Sequence, residues 1–537
     1  MKKLLSLLMV MALMLSLFTG CVQEETYTSP PKDKTDAIDD FDYTLDDDTV
    51  KDFDALLQEA EALAKGDDLA EAEEAMDRLT DAYMDLVDQN QIAYVKYCVD
   101  QSQEAAKEQY LYSEEVINQA EADINAMNQR IYLSESPIRD ALFADWSQEE
   151  IDMMLLYNEE IKELNTRNSQ ITTEYRDLEE DEAWEENMVR LYNELVRNNN
   201  RIAQIYGYEN YYVFAHKMIY QRDYDSAQLQ TVRDLVAQYL PECFDYSYEA
   251  FAQKYQALSK SDNRRISELV NSDYDELSVN YLSDYLASLP ETAKAGMAEM
   301  FDGTHSVFTD NKNAYEGAFT TFIDEAPFCF FGPGYFDCET VVHELGHYYG
   351  SKYVDSFSQP IDLAETQSQG NEWLFVQFLE GYLSADAYAC FVDYRLMSAV
   401  GDIIVFVMVD AFEELVYTHK NAGDLTLSQY DALMTQVAKN YGGISYVSEN
   451  IADVQMYWKY VVLESPVYYI SYGVSALAAI DLFTIAEADP QEARRVYCKL
   501  VEEPLTEEGF LANITYAGMV GPFDESLYET LLYRYKK

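Results

Sequence analysis

From residue 49 onward, apolar side chains return every three or four positions while helix breakers are scarce, with 20 glycines and 12 prolines in 537 residues. Phe53, Leu56, Leu57, Ala60 and Leu63 show the spacing, as do Ile151, Met154, Leu155 and Ile161. Such a period describes long amphipathic helices and excludes a many-turned β architecture. The predicted fold class is therefore mainly α. Breaks are expected at Lys65-Gly66-Asp67-Asp68, near Ser134-Glu135-Ser136-Pro137 and around Ser259-Lys260-Ser261-Asp262. The main candidate for β structure is residues 319–331, where Phe322-Ile323 and Phe328-Cys329-Phe330-Phe331 flank a turn-like Asp324-Glu325-Ala326-Pro327. Gly332-Pro333-Gly334 then punctuates the chain before another helical stretch. With 48% apolar residues the chain can bury a sizeable core, and its length allows two to four domains or one large lobed unit.

Charge narrows the function classes. Lys and Arg number 37 against 98 Asp and Glu, a formal net charge of −61. A surface this acidic repels phosphate backbones, and no basic stripe interrupts it, so nucleic acid is excluded as a partner. Acidic patches can instead attract cationic peptides or metal ions. Most of the charge lies between the apolar positions of helices and reads as a solvated face.

The first residues read as a leader. Lys2 and Lys3 precede an apolar run at residues 4–18, followed by Thr19-Gly20-Cys21. A basic start, a short apolar segment and a small residue before the cut describe a bacterial secretory signal, too short for a comfortable transmembrane helix. Leu17-Phe18-Thr19-Gly20-Cys21 resembles a lipobox, which makes Cys21 the lipidated residue and the protein an extracytoplasmic, membrane-anchored one; the alternative is an ordinary secreted protein. The expected organisation is a signal peptide at 1–20, a flexible acidic linker at 21–48, an N-terminal helical region at 49–189 and a catalytic unit at 190–537. The six other cysteines, widely and irregularly spaced, read mostly as small buried apolar residues.

The chemistry is concentrated in Cys338-Glu339-Thr340-Val341-Val342-His343-Glu344-Leu345-Gly346-His347. Four residues of helix turn through about 400°, which returns His347 to within about 40° of the face of His343, so both can hold one zinc ion. Glu344 emerges beside them, placed to take a proton from water at the metal. A catalytic zinc needs a third protein ligand. Glu365, 18 residues after His347, is the candidate, with room for a loop and a return onto a second helix. Glu372 lies two turns later and either supports a ligand from behind or is a solvated acid. Glu339 reads as a salt-bridged helix acid. Gly346 either leaves room beside the metal or permits close helix packing.

His343-Glu344-Leu345-Gly346-His347, followed by Ala364-Glu365 and Asn371-Glu372, resembles the oligoendopeptidase F and thimet-oligopeptidase family of zinc peptidases, with a shorter interval between the second histidine and the glutamate than is usual there. Asn313-Ala314-Tyr315, Ala326-Pro327-Phe328-Cys329-Phe330-Phe331 and Arg201-Ile202-Ala203-Gln204-Ile205-Tyr206-Gly207-Tyr208 are similar to its other segments. The resemblance covers roughly residue 190 to the C-terminus. It implies a two-lobed helical shell with a deep substrate channel, a small β-sheet beside the zinc helix, one Zn²⁺ per chain, and short unfolded peptides as substrates. It also implies that Phe328, Cys329 and Phe330 belong to an edge strand lying along the substrate backbone. Ser465-Pro466-Val467-Tyr468-Tyr469-Ile470-Ser471-Tyr472-Gly473 resembles the segment that supplies tyrosine donors to the oxyanion, here Tyr472 and Tyr469.

One departure stands out. Relatives carry a histidine several residues before these tyrosines, where this chain has Tyr460, Val461 and Val462. Either His419 reaches in, another donor substitutes, or catalysis is weakened. Two other readings stay open: a dipeptidyl carboxypeptidase resembling angiotensin-converting enzyme, and a lipoprotein that binds peptides without cutting them.

Overall fold

A computed structural model describes residues 35–176, 178, 183–271, 276–289, 294, 300, 304–324, 326–335, 337–353, 359–441, 458–505 and 508–536. Cys21 and the leader lie outside the described residues. The longer helices are α1 (Asp47–Ala64), α2 (Leu69–Val99), α3 (Glu104–Tyr132), α4 (Glu159–Arg176), α5 (Trp184–Ile205) and α6 (Ser226–Ala257). Three strands follow, β1 (Ser306–Phe308), β2 (Ala318–Ile323) and β3 (Ala326–Phe331), and then α7 (Cys338–Gly350), α8 (Ile361–Phe378), α9 (Ala385–Tyr417), α10 (Ile470–Ala488) and α11 (Pro490–Glu502). The fold is mainly α with a small sheet against the helix that carries the two histidines, as the sequence predicts. The first two expected breaks fall between helices; the third falls at Leu258-Ser259, and Lys260, Ser261 and Asp262 already belong to the next helix, Lys260–Asn271. Asp68 caps α2 by accepting the Glu71 N–H, because a short side-chain oxygen satisfies a donor left free in the first turn.

Packing divides the chain differently from the expected boundary at 189. One apolar cluster is built from α1, α2 and α3 and ends with Ile151 and Met154. Ile171, Tyr175, Trp184 and Met188 belong to a second, larger cluster that includes α7, α8, α9 and α10. Thus α4 and the start of α5 pack with the unit that carries the histidines. Helix α10 is long and apolar enough to cross a membrane, yet 78% of its apolar window is buried. It is the central core helix, packed against α8 and α9, and its apolarity follows from contact on all sides. The six cysteines from Cys98 onward form no disulfide among the described residues, and all but Cys498 are buried.

Two expectations are corrected here. The linker predicted over 21–48 is not a tether throughout: a short helix spans Asp36–Asp39, Ile38 is 2% exposed, and Phe41 meets Phe328 edge to face. Ala37, Ile38, Val95, Val307 and Phe328 form one cluster that joins the chain's start to α2 and the sheet. The apolar residues in this acidic stretch have a sheet face to cover, which composition alone does not reveal.

The second correction concerns the sheet. The predicted hairpin is present, with β2 and β3 antiparallel in register Thr320 opposite Cys329. However, β1 pairs with β3 in parallel, so the strand order is β1-β3-β2. Phe328, Cys329 and Phe330 therefore lie on the central strand, fully buried, with Cys329 and Phe330 paired on both sides and Phe328 paired with β2. They do not form an edge strand. The outer strand beside α7 is β2, whose far edge pairs with no strand among the described residues.

Replacing Ile38 by Ala should cost about 2–4 kcal/mol of unfolding free energy, read from urea denaturation, because the site cannot collapse between the sheet and α2. A free tether at this position would instead leave the midpoint unchanged.

Candidate metal centre

Helix α7 begins at Asp337, whose carboxylate accepts the Glu339 and Thr340 N–H groups. It presents His343 and His347 on one face, and α8 crosses that face with Glu365 toward both. The crossing is close because of Gly346: a Cβ there would lie 2.5 Å from Ser368 Cα and 2.9 Å from the Gln367 carbonyl oxygen. Of its two sequence readings, helix packing is the one the structure supports. Asn371 ties the helices further, donating to the Val342 carbonyl at 2.7 Å and accepting from the Tyr285 hydroxyl at 2.6 Å.

Glu365 Oε2 lies 3.4 Å from His343 Nε2 and 3.5 Å from His347 Nε2. One ligand atom from each residue falls within 4.8 Å of the others, so the three can hold a metal ion. Two imidazole nitrogens and one carboxylate are a donor set suited to zinc, and the side chains fit it in orientation as well as type. His343 Nδ1 is engaged by Glu372 Oε1 at 2.7 Å, which leaves Nε2 as the atom facing the centre. Burial alone would raise the Glu365 carboxyl, but the imidazoles, His347 foremost, more than offset it and hold the group well below the usual range. Burial in turn opposes charge on His343, and its contacts with Glu365 and Glu372 overcome that and push the ring well above the ordinary histidine value.

Glu372 thus supports a ligand from behind. Arg395, almost fully buried on α9, donates to Glu372 Oε2 at 2.7 Å and pairs with Glu339 as well. The acid predicted as a salt-bridged helix residue is one, and its cation comes from a helix 56 positions away. A histidine that donates from its outer nitrogen to a carboxylate is fixed in tautomer and ring angle, which strengthens it as a ligand.

Glu344 projects to the side of the two histidines, 4% exposed. Its Oε2 accepts the Thr320 hydroxyl of β2 at 2.7 Å, and Thr320 also contacts Cys329 Sγ at 3.3 Å. Cys329 thereby stands behind the group that holds Glu344, away from the open edge. The role of Thr320 is not legible in the sequence, since nothing marks one threonine of a Thr-Thr pair.

The tyrosine segment reaches the same centre through a residue that sequence reasoning passed over. Tyr468 donates its hydroxyl to Glu365 Oε1 at 2.5 Å. Burial and the Glu365 charge keep that phenol protonated, with its pKa well above the ordinary value. Tyr472 lies beside it, rings 5.1 Å apart, with the charges of Glu365 and Glu344 nearby. Tyr469 packs on Phe406 and Tyr472, and the acid that acts most on its phenol is Glu464, whereas Glu365 acts on Tyr468 and Tyr472. A helical three-residue spacing pairs Tyr469 with Tyr472, but α10 begins only at Ile470, so Tyr468 and Tyr469 point by loop geometry.

That loop is held in an unusual conformation. Val467 has φ +62°, a region that β-branched residues avoid at a cost of about 1–3 kcal/mol. Its N–H donates to buried Glu413 at 2.8 Å and its carbonyl accepts from buried Arg222 at 2.9 Å. Arg222 also reaches the Ser471 hydroxyl at 2.8 Å and lies 3.7 Å from Asp362 at the start of α8. The strained turn is therefore clamped to the helix of Glu365, and this clamp aims Tyr468. His419 does not reach in: its Nδ1 accepts the Asn421 N–H in the turn beyond α9, beside Arg197 and Arg201.

No family model matches the sequence, and no curated protein matches it. Solved structures do. Pz peptidase A with an inhibitor superposes with a TM-score of 0.74 over 93% of this chain and 99% of its own, at 18% identity. The chain has the oligoendopeptidase F fold. An oligoendopeptidase F aligns at a TM-score of 0.73 and 19% identity, over 93% of this chain and 98% of that one. Another, from Bacillus anthracis, aligns at 0.68 and 17% identity over 93% and 97%. The oligoendopeptidase F fold thus extends through α1, α2 and α3, beyond the stretch in which sequence resemblance is visible.

Glu372→Gln keeps the shape but removes the anion that orients His343. Metal affinity, measured by competition with a chelator, should fall about 10–100-fold.

Proposed function

We propose that this protein hydrolyses peptide bonds in short unfolded peptides, using one zinc ion held by His343, His347 and Glu365. The observation that carries this reading is the convergence of those three side chains with Glu344 at their side and Tyr468 and Tyr472 across from them, within a fold whose solved examples are peptidases. An endopeptidase working on internal bonds fits best, because β2 leaves an unpaired edge beside α7. An extended peptide can add to that edge through main-chain hydrogen bonds that any sequence offers.

Bound zinc would supply Lewis acidity at the scissile carbonyl and favour loss of a proton from water. The chain's own groups do the rest. Glu344, fixed by Thr320, accepts the water proton and delivers it to the leaving amine. Tyr472 stays protonated in its buried setting and donates to the carbonyl oxygen as charge develops there. Tyr468 holds Glu365 in place. The missing upstream histidine is compatible with this scheme, since Tyr472 already offers a donor to the developing charge.

A zinc-loaded Glu344→Gln variant should retain its metal and lose about 10²–10⁴-fold in cleavage of a short-peptide library read by mass spectrometry, and Tyr472→Phe should lose about 10²–10³-fold. Chelator-sensitive internal cuts would establish the endopeptidase. Loss of C-terminal dipeptides alone would favour the carboxypeptidase reading, and equal cleavage by wild type and Glu344→Gln would remove Glu344 from its role.

We also propose that the enzyme is extracytoplasmic and lipid-anchored at Cys21, on the strength of Lys2, Lys3, the apolar run at 4–18 and the lipobox-like residues 17–21. Cys21→Ser should move it from the membrane fraction to the soluble one after cell lysis; unchanged membrane retention would exclude anchoring through that residue.

A further inference from the structure

Arg176, the last residue of α4, stands out in a chain this acidic. Its guanidinium lies over the rings of Tyr94, at 6.0 Å, and Tyr315, at 5.7 Å. Among the described residues its nearest acid is Glu464, at 3.7 Å, beyond hydrogen-bond distance, and its Nε is buried without a hydrogen-bond partner. A buried donor left unmatched costs about 1–3 kcal/mol, so such a group persists where something else satisfies it. The side chain is 16% exposed and that of Glu464 27%, so the outer part of the guanidinium stays within reach of a ligand although Nε does not.

Its position relative to the metal centre gives that ligand a direction. Strand β2 runs from Ala318 to Ile323, and Thr320 marks the level of Glu344. A peptide pairing antiparallel with β2 has the residues that follow its scissile bond toward Ala318, and therefore toward Tyr315, which packs on Phe319 at 6.1 Å. Tyr469, whose ring is 5.9 Å from that of Tyr472, has its phenol under the charge of Glu464, the acid beside Arg176. Arg176 thus presents a planar fork of donors on the side where the C-terminal part of a bound peptide would lie.

We propose that Arg176 binds a substrate carboxylate on the C-terminal side of the scissile bond, a specificity that rests on the peptidase reading above. A carboxylate accepts two parallel N–H bonds from guanidinium, a geometry that Glu464 does not reach at 3.7 Å. The ring faces of Tyr94 and Tyr315 hold the fork in plane, a service an ammonium would not receive in the same way. The carboxylate has two sources, the peptide's own C-terminus or an acidic side chain.

Three versions of one peptide separate them: a free C-terminal acid, the C-terminal amide, and the amide with Glu placed two residues after the cleaved bond. Wild type should favour at least one carboxylate-bearing peptide over the plain amide by about 10–100-fold in kcat/KM, in line with charge-assisted hydrogen bonds. Arg176→Gln should bring that ratio near one, and Arg176→Lys should restore only part of it. Preference for the free acid identifies the terminus, and preference for the Glu peptide identifies the side chain. Equal handling by wild type, a ratio that survives Arg176→Gln, or an equal loss on all three peptides would each overturn the proposal. The same ratios taken as Kd by calorimetry on zinc-loaded Glu344→Gln, with and without Arg176→Gln, decide the question without turnover. If wild type cleaves nothing, the peptidase reading fails, while a carboxylate preference in Kd that vanishes with Arg176→Gln still supports the binding role, and equal Kd values or no binding overturn it.

Discussion

Gly346 has no Cβ, and the backbone of α8 at Gln367 and Ser368 occupies the space a side chain would need. The placement of Glu365 and Glu372 against the two histidines follows from that approach. It lets Glu365 Oε2 come within 3.4 and 3.5 Å of two imidazoles on the neighbouring helix. It also brings Glu372, two turns along α8, onto the outer nitrogen of His343. Asn371 then locks the pair by bonding the α7 backbone. An alanine at 346 would force the helices apart, and the ligand set depends on their separation more than on any single contact.

Around this crossing the protein buries an uncommon amount of charge. Glu372 answers to Arg395, Arg395 to Glu339, and Arg222 spans the start of α8 and the tyrosine loop. Such groups add little net stability over apolar ones of equal volume, because desolvation offsets the attraction. Their effect is on geometry. Burial and the neighbouring charge of Asp410 push the Glu413 carboxyl well above its ordinary value, against the Val467 N–H and Arg222, which favour its charged form. Arg222 and Glu413 together hold Val467 at φ +62°, and release of either would let that residue relax and carry Tyr468 away from Glu365.

The legible part of the site was the part written locally. His343, Glu344 and His347 share one helix, so their spacing alone places them together. The hairpin of β2 and β3 was visible for the same reason, as two apolar runs around a turn. Glu365 could be named from chemistry, because a metal held by two histidines calls for a third ligand, and the three side chains do come together. What stayed hidden were contacts set by distant elements: Thr320 on Glu344, Arg395 on Glu372, and β1 on the far side of β3. Tyr468 was missed because a helical period was applied across Tyr468 and Tyr469, which precede the helix.

By itself the sequence determined the class of fold, since a sustained three-to-four-residue period with few breakers leaves the chain little besides helices. It also determined the chemistry available, because the motif confines two imidazoles and a carboxylate to adjacent faces of one turn. Tertiary structure decided which strand faces outward, which tyrosine meets Glu365, and that the acidic start of the chain packs from Asp36 onward. The physical reason is one of range. Helical spacing is enforced by hydrogen bonds four residues apart, whereas strand order and side-chain partners rest on contacts between segments tens to hundreds of residues apart, whose energies no local pattern records.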